Sequence, residues 1–176
     1  MYLSKFFENY IKGTPQKAIV ANRKALLCRL TEAVMDGIEI ECLSKNVYIT
    51  SRCIKHLLDK RPAEEFLFII DHLHEIVKCP DRIYKNAHGK RGDFCFTKKM
   101  ANEEYFCAVE VLEISQVICG CASKELIIKE IQIATAFRLR DEKYITKNYT
   151  LLWDWGNGNP HRSALDTPKE STNAPQ

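Results

Sequence analysis

The chain has 176 residues, of which 45% are hydrophobic and 28% are charged. This length fits one domain that can bury a core without extra cross-links, and the composition is that of an ordinary soluble globular protein. The formal net charge of +3 permits a polyanionic partner without requiring one, so any nucleic-acid hypothesis depends on where the charges lie.

No targeting or membrane segment is evident. Residues 1–7 lack the basic stretch followed by a sustained apolar run that marks a secretory signal. The densest apolar run, residues 66–70, is far shorter than the roughly 18 residues that a transmembrane helix needs. The sequence therefore predicts a cytoplasmic protein that does not associate with membranes.

The eight cysteines do not have the pattern of a disulfide framework or a zinc site. Cys28, Cys53, Cys95 and Cys107 lie in apolar-periodic segments, where cysteine behaves as a small hydrophobe. No pair of CxxC motifs is present, and residues 119–121 form a lone CxC in a predicted turn. We expect a reduced protein with no disulfide, no metal and no cofactor.

The first predicted elements are helical. Apolar residues at helical spacing predict a helix over residues 2–12 and an amphipathic helix over 16–35, clearest from residue 26 onward. Strict alternation over residues 38–42 predicts a strand, and residues 47–49 form a second, short candidate.

Two further helices follow. Thr50 and Ser51 are residue types that cap a helix N-terminus, so a helix is predicted to begin there. Pro62 ends it and suits the first turn of the next helix, where the acidic residues 64–65 favour the positive end. A continuous apolar stripe carries that helix through residue 77.

The second half of the chain changes to the period of β-strands. Strands are predicted at residues 82–85, 93–97, 105–114 and 126–139, with a loop over 115–123. Short connections favour an antiparallel meander. The predicted fold class is therefore α+β, with N-terminal helices followed by a four- to five-stranded antiparallel sheet.

Three regions are predicted along the chain. Residues 1–45 form an N-terminal helical region with a short strand, and residues 46–156 form the main domain. Residues 157–176, rich in Ser, Thr, Pro and Asn, are predicted to be a disordered tail.

The helix predicted after Thr50 carries a histidine beside two cations. His56 lies off the apolar face, with Lys55 adjacent and Arg52 one turn before it. Imidazole exchanges protons near neutral pH, and fixed positive charge stabilises a reacting phosphate. These groups suit metal-free RNA cleavage, whereas an inert surface histidine is the alternative interpretation.

Two other clusters carry candidate residues. Lys85, Lys90 and Arg91 flank a predicted turn and form either a solvated basic turn or a phosphate clamp. On the last predicted strand, Thr135 offers a hydroxyl and Arg138 a cation. Alternation places these two on opposite faces, so they reach one phosphate only if a bulge or strand end lies between them.

Three short segments together resemble a nuclease superfamily. They are residues 50–56 (TSRCIKH), 68–81 (FIIDHLHEIVKCPD) and 135–138 (TAFR). From about residue 49 to 155 the chain resembles the phage and mobile-element nuclease domains of the barnase, EndoU, colicin and RelE-like superfamily. The resemblance implies one or two helices followed by a four-stranded antiparallel sheet. It also implies metal-independent RNA cleavage, in which the 2′-hydroxyl attacks the adjacent phosphorus and leaves a 2′,3′-cyclic phosphate.

Carried onto this chain, the resemblance matches Arg52, Lys55 and His56 on the helix and Thr135 and Arg138 on the late strand. We assign the catalytic roles to His56, Lys55, Thr135 and Arg138. His56 would act as general base or acid, while Lys55 and Arg138 would stabilise the charged phosphorane. Thr135 would bond a phosphate oxygen or orient the imidazole. The predicted phosphate-binding residues are Arg52, Lys85, Lys90 and Arg91.

The functional hypothesis is thus a metal-independent endoribonuclease, a toxin or effector whose partners are RNA and an inhibitor or immunity protein. It would act in the cytoplasm, including that of a target cell into which it is delivered. The alternative is a catalytically silent RNA- or protein-binding module on the same scaffold, with residues 1–35 as a helical hairpin for a partner. The active-site hypothesis requires five residues to converge on one concave surface: Arg52, Lys55, His56, Thr135 and Arg138.

Overall fold

The fold is a single mixed β-sheet with helices on both faces. The structure is a computed structural model that describes residues 3–38, 44–88, 92–118, 124–141, 143–155 and 159–160. Its helices are α1 (Leu3–Tyr10), α2 (Glu32–Ile38), α3 (Ser51–Lys60), α4 (Ala63–Lys78) and α5 (Lys143–Asn148). Its strands are β1 (Lys24–Arg29), β2 (Asn46–Thr50), β3 (Arg82–Asn86), β4 (Phe94–Met100), β5 (Glu103–Ile118), β6 (Lys124–Leu139), β7 (Tyr149–Asp154) and the two-residue β8 (Asn159–Pro160).

The sheet is larger than the sequence predicts. Its strand order is β1-β2-β6-β5-β4-β3-β7-β8, and β2 and β6 are the one parallel pair among these strands. The α+β class is confirmed, but the expectation of four to five antiparallel strands is corrected to seven strands and a short eighth. The strands that the sequence does not predict are β1 at one edge and β7 and β8 at the other, whereas β2 corresponds to the short candidate at residues 47–49.

Residues 24–29 form a strand where the sequence predicts part of a helix over 16–35. β1 pairs antiparallel with β2, from Lys24 opposite Thr50 to Arg29 opposite Asn46. A short apolar run such as the one within β1 has no period that separates a strand from a buried helix, and here the pairing with β2 decides. Only α2 is helical at the end of that region. Ile38 closes α2 instead of opening the strand predicted over 38–42, and the rest of that prediction lies outside the described residues.

The elements predicted from residue 47 onward are confirmed, with one extension. The Thr50 side chain accepts the Cys53 N–H at 3.1 Å, which is the predicted N-cap of α3. β5 continues to Ile118, so residues 115–118 are strand where a loop is predicted. The reason is its long pairing with β6, from Glu104 opposite Leu139 to Ile118 opposite Lys124. Most of the predicted tail lies outside the described residues, and the region boundaries at residues 45 and 156 stay predictions.

The core lies on both faces of the sheet. Residues of α1 to α4 pack on one face, against side chains such as Phe96 and Cys107. On the other face Ile145 of α5 packs with Phe106 and Tyr149. Alternation along β5 sends Phe106 and Cys107 to opposite layers. Among the described residues, no helix combines the length and apolar character that crossing a membrane would require.

Five cysteines have described side chains, and all five are free thiols: Cys28, Cys53, Cys79, Cys95 and Cys107. Burial raises the pKa of the Cys95 and Cys107 thiols well above the ordinary value. These two therefore stay protonated at neutral pH and act as core hydrophobes.

Gly92 is the glycine whose replacement tests the packing of the β3–β4 connection on β5. Its φ is +82°, and a Cβ there would lie 2.8 Å from the Ala108 Cβ. Gly13 has a similar φ of +80° but nothing within 4 Å of such a Cβ. We expect Gly13→Ala to lower the free energy of unfolding by about 1 kcal/mol, from backbone strain alone. Gly92→Ala should lower it by about 2 kcal/mol more, because of the added clash.

Urea denaturation of both variants measures this difference. Equal losses at the two glycines would show that the connection can move away from β5, and would contradict the packing described here.

Candidate functional site

One edge of β6 loses its neighbouring strand partway along. β2 pairs with β6 only at Val47 opposite Ile131 and Tyr48 opposite Gln132. β2 ends at Thr50, because α3 begins with the next residue. The backbone of β6 beyond residue 132 therefore needs other hydrogen-bonding partners on that side.

Side chains of the α3–α4 segment take the place of the missing strand. They bond alternate backbone groups of β6, and the pairs are Cys53 Sγ to Ala134 O (3.7 Å), Arg61 Nε to Ala136 O (3.2 Å) and the Arg138 N–H to Glu65 Oε1 (3.0 Å). Alternate backbone groups point to the same edge of a strand, so the three bonds follow one edge. They also fix a guanidinium and a carboxylate at the end of β6.

A groove of about 500 Å³ lies at this edge, between the α3–α4 junction, the end of β6 and α5. It is lined by four cations and two carboxylates, which are Lys60, Arg61, Arg138, Arg140, Glu65 and Asp141. We call it the edge groove. A larger groove of about 980 Å³ shares part of the wall, but its four cations face five carboxylates. The edge groove is therefore the more favourable of the two for a polyanion.

The charged groups of the edge groove are held in place by one another. Glu65 has a side chain only 7% exposed, and its Oε2 lies 3.4 Å from the Arg140 Nη2. Its other oxygen already accepts the Arg138 N–H, so both carboxylate oxygens are bonded. Arg138 Nη1 binds Glu103 at 2.6 Å. Burial lowers the pKa of the Arg61 guanidinium, and Glu65 opposes that effect. Arg61 stays charged at neutral pH.

Thr135 and Arg138 are not brought to one phosphate. Ala108 pairs with Thr135 while Val109 pairs with Ile133, so β6 has a bulge at Ala134. This bulge precedes Thr135, and the pairing from Thr135 to Arg138 is regular. The two side chains therefore lie on opposite faces, and the single concave surface expected from the sequence is not formed.

Lys55 is placed in an ion pair instead of at the surface. Its side chain is 5% exposed, and its Nζ lies 2.5 Å from the Asp59 carboxylate. The Lys17 N–H donates to the other Asp59 oxygen at 3.1 Å. The Lys55 ammonium lowers the pKa of the Asp59 carboxyl below its usual value, and the Lys17 N–H adds to the effect. A phosphate reaches Lys55 only if it displaces Asp59.

Arg52 and His56 lie on a different side of α3 from Lys55. Arg52 and Lys60 are exposed and His56 is partly buried, at the i, i+4 spacing that places residues on one helical face. Lys60 lines the edge groove. His56 precedes it by about 6 Å along the helix axis. Of these three residues only Lys60 lines the edge groove, and the described lining of both grooves does not include Arg52 or His56.

The predicted phosphate clamp lies elsewhere. Lys85 is an exposed residue of β3, and β4 and β5 separate that strand from β6. Neighbouring strands are about 4.8 Å apart, which puts β3 roughly 14 Å from β6. Lys85 is not among the described residues that line either groove. Lys90 and Arg91 lie outside the described residues.

Of the residues that line the edge groove, the sequence interpretation placed only Arg138 in a functional site, and among those it missed are Arg61, Glu65 and Tyr144. In the sequence, Arg61 is notable only as the residue before Pro62, where the first of the two helices ends. Glu65 gave a usable signal, because it precedes Ile69 by four residues and so occupies the apolar stripe of α4. A carboxylate on a buried stripe needs partners. Nothing in the sequence near Tyr144 indicates its position.

Metal ligands are not grouped within the part of the chain that the structure describes, where no three His, Cys, Asp or Glu side chains lie close enough to hold an ion. In a comparison with protein families, the model described as phage-Barnase-EndoU-ColicinE5/D-RelE like nuclease3 matches residues 29–120. The match covers just over half of the chain, and it points to the superfamily that the three sequence segments resemble. Neither a curated protein nor a solved structure matches the chain.

Glu65 and Glu64 offer a matched test of the β6 edge. Both lie in the first turn of α4, but Glu65 is buried with both oxygens bonded and Glu64 is exposed. Glu65→Ala leaves the Arg138 N–H without its partner and should lower the free energy of unfolding by about 2 kcal/mol. Glu64→Ala should cost only a few tenths of a kcal/mol, from its interaction with the helix dipole.

Chemical denaturation of the two variants separates these effects. If Glu65→Ala is as stable as Glu64→Ala, the carboxylate does not hold the strand edge, and our description of the edge is wrong.

Proposed function

The chain belongs to the phage-Barnase-EndoU-ColicinE5/D-RelE like nuclease family, and from this premise we propose that it is a metal-independent endoribonuclease. Membership makes it a nuclease. The choice of RNA, and a reaction that leaves a 2′,3′-cyclic phosphate, are our proposal.

The observation that carries the proposal is the set of fixed arginines in the edge groove. Arginine presents paired donors that match phosphate oxygens. Arg61 is anchored through its Nε to Ala136 O, and Arg138 and Arg140 are each bonded to a carboxylate. Positive charge that is already oriented stabilises a developing phosphorane without further reorganisation.

The proposed reaction requires two proton transfers. The 2′-oxygen forms a bond to the adjacent phosphorus while the bond from phosphorus to the 5′-oxygen breaks. One group removes the proton of the 2′-hydroxyl, and another protonates the departing 5′-oxygen. We propose His56 for one of these steps, because imidazole exchanges protons near neutral pH and His56 lies one helical turn before Lys60, which lines the groove. Arg138 would stabilise the phosphorane, and Arg52 would bind an outlying phosphate.

The other two proposed catalytic residues take altered roles. Lys55 binds the carboxylate of Asp59, which lies one helical turn further along α3. Asp59 also follows His56 by three residues, so we propose that Lys55 positions this carboxylate beside the imidazole. Thr135 is half-buried on the face of the sheet that α5 covers. We propose that it contacts the nucleotide there, away from the phosphate that Arg138 would bind.

The alternative function is an RNA-binding or protein-binding module without catalysis. The observation that favours it is the ion pair of Lys55, which removes one expected cation from the reacting phosphate. A binder needs only the positive charge of the groove, so it keeps its RNA affinity and shows no cleavage.

Replacement of His56 distinguishes the two functions. We expect purified protein to cleave RNA in EDTA at pH values between about 5 and 8. His56→Ala should lower kcat by about a hundredfold or more, with RNA affinity nearly unchanged. His74→Ala is the matched control, because His74 is an exposed histidine of α4 whose side chain is 52% exposed and lies outside the edge groove.

Fragment end groups give the second readout, and a 2′,3′-cyclic phosphate is expected. Cleavage that survives His56→Ala, or that stops when divalent ions are chelated, would overturn the mechanism. RNA binding without any cleavage by the wild-type protein would favour the binding module.

We further propose that the protein acts as a toxin or effector in the cytoplasm, with RNA as its target and an inhibitor protein as its cellular partner. Expression of the wild-type chain in bacterial cytoplasm should stop growth, because RNA cleavage removes templates for translation. His56→Ala should restore growth at equal expression. Unimpaired growth with active wild-type enzyme would contradict the toxin role.

A further inference from the structure

We propose that the edge groove holds an unpaired nucleobase against Tyr144 and Arg61, and that the substrate is therefore single-stranded RNA. The inference rests on the proposed function and adds to it the strandedness of the substrate and the residues that select it. It comes from the aromatic side of the groove, which the proposed phosphate chemistry does not use.

Two rings of a packed aromatic set, those of Phe137 and Tyr144, line the groove. Phe137 stacks on Phe106 with centroids 4.5 Å apart and an interplanar angle of 26°. Tyr144 meets the edges of both rings, at 5.8 Å from Phe106 and 5.7 Å from Phe137. Such edge-to-face packing fixes the orientation of an aromatic side chain. Tyr144 is nevertheless 43% exposed.

The guanidinium of Arg61 extends this set of rings. Its central carbon lies 4.9 Å from the centroid of the Phe137 ring, and its Nε is bonded to Ala136 O. The cation is thus held over an aromatic ring by one contact and along the strand edge by the other. Arginine planes and aromatic rings are the two surfaces on which proteins stack unpaired bases.

The hydroxyl of Tyr144 already has a partner in the first residue of β7. It forms a hydrogen bond with Tyr149, whose own pKa is raised, first by burial and then by Tyr144. Tyr144 nevertheless lines the groove and is partly exposed. A role in stacking thus fits this residue better than a role as hydrogen-bond donor.

Cations flank the rings at the positions that a nucleotide requires. Lys60, Arg138 and Arg140 line the same groove as Tyr144, so base and phosphate can be bound together. The groove volume of about 500 Å³ lies within the range of small-molecule sites. In a duplex the faces of the bases are covered by their neighbours, so only an unpaired base offers a face to Tyr144. Ring and cation together therefore select single-stranded RNA.

Binding of uncleavable RNA tests the proposal separately from catalysis. The probes are a single-stranded RNA with 2′-O-methyl riboses, its duplex, and an abasic strand of equal length. The variants are Tyr144→Ala, Tyr144→Phe and Tyr10→Ala, the last on α1 with a similar exposure of 44%. We expect Tyr144→Ala to weaken binding of the base-bearing single strand about tenfold and to leave binding of the abasic strand unchanged. Tyr144→Phe and Tyr10→Ala should bind all probes as the wild type does.

The possible failures are distinct. If Tyr144→Ala weakens binding of the abasic strand equally, the ring acts on the backbone or the fold and the base site is wrong. If Tyr144→Ala matches Tyr10→Ala, or if the duplex binds as tightly as the single strand, selection of unpaired bases is wrong while RNA cleavage stands. If wild-type protein binds none of the RNA probes and cleaves no RNA, the proposed function fails and this inference fails with it.

Discussion

The open edge of β6 is the constraint on which the rest of the structure depends. Thr50 both ends β2 and caps α3, so the chain leaves the sheet at that point by helix formation and not by a turn. On that side β6 then continues without a neighbouring strand, although unpaired backbone groups in a packed protein are costly. Arg61 and Glu65 satisfy that edge from the start of α4 and the junction before it. The same two hydrogen bonds thus satisfy the β6 edge, hold the start of α4 against it and fix the positions of Arg61 and Glu65.

This arrangement divides the groove into two classes of residue. Arg61 and Glu65 hold the strand edge, so their loss acts on stability as well as on any chemistry nearby. Arg140 is 66% exposed in its side chain, and Tyr144 is also largely accessible. These two can bind a substrate at little cost to the fold.

Local signals in the sequence predicted much of the fold. The cap at Thr50, the break at Pro62 and the alternation along β3 to β6 each depend on residues close together in the chain. The elements that could not be predicted depend on distant partners. β1 is a strand because it pairs with β2. Residues 115–118 belong to β5 because they pair with β6. The bulge at Ala134 and the bonds of Glu65 likewise appear only once β6 has met α4.

The candidate site shows why neighbours in sequence need not be neighbours in function. Successive residues of a helix point about 100° apart, so Lys55 and His56 face different surroundings. Lys55 forms an ion pair with Asp59, and Asp59 also accepts the Lys17 N–H. His56 instead shares its helical face with Arg52 and Lys60. A search for adjacent basic residues therefore finds Lys55 and overlooks Lys60. The i, i+4 relation instead connects His56 to Lys60, and Lys60 lines the groove together with Arg138 and Arg140.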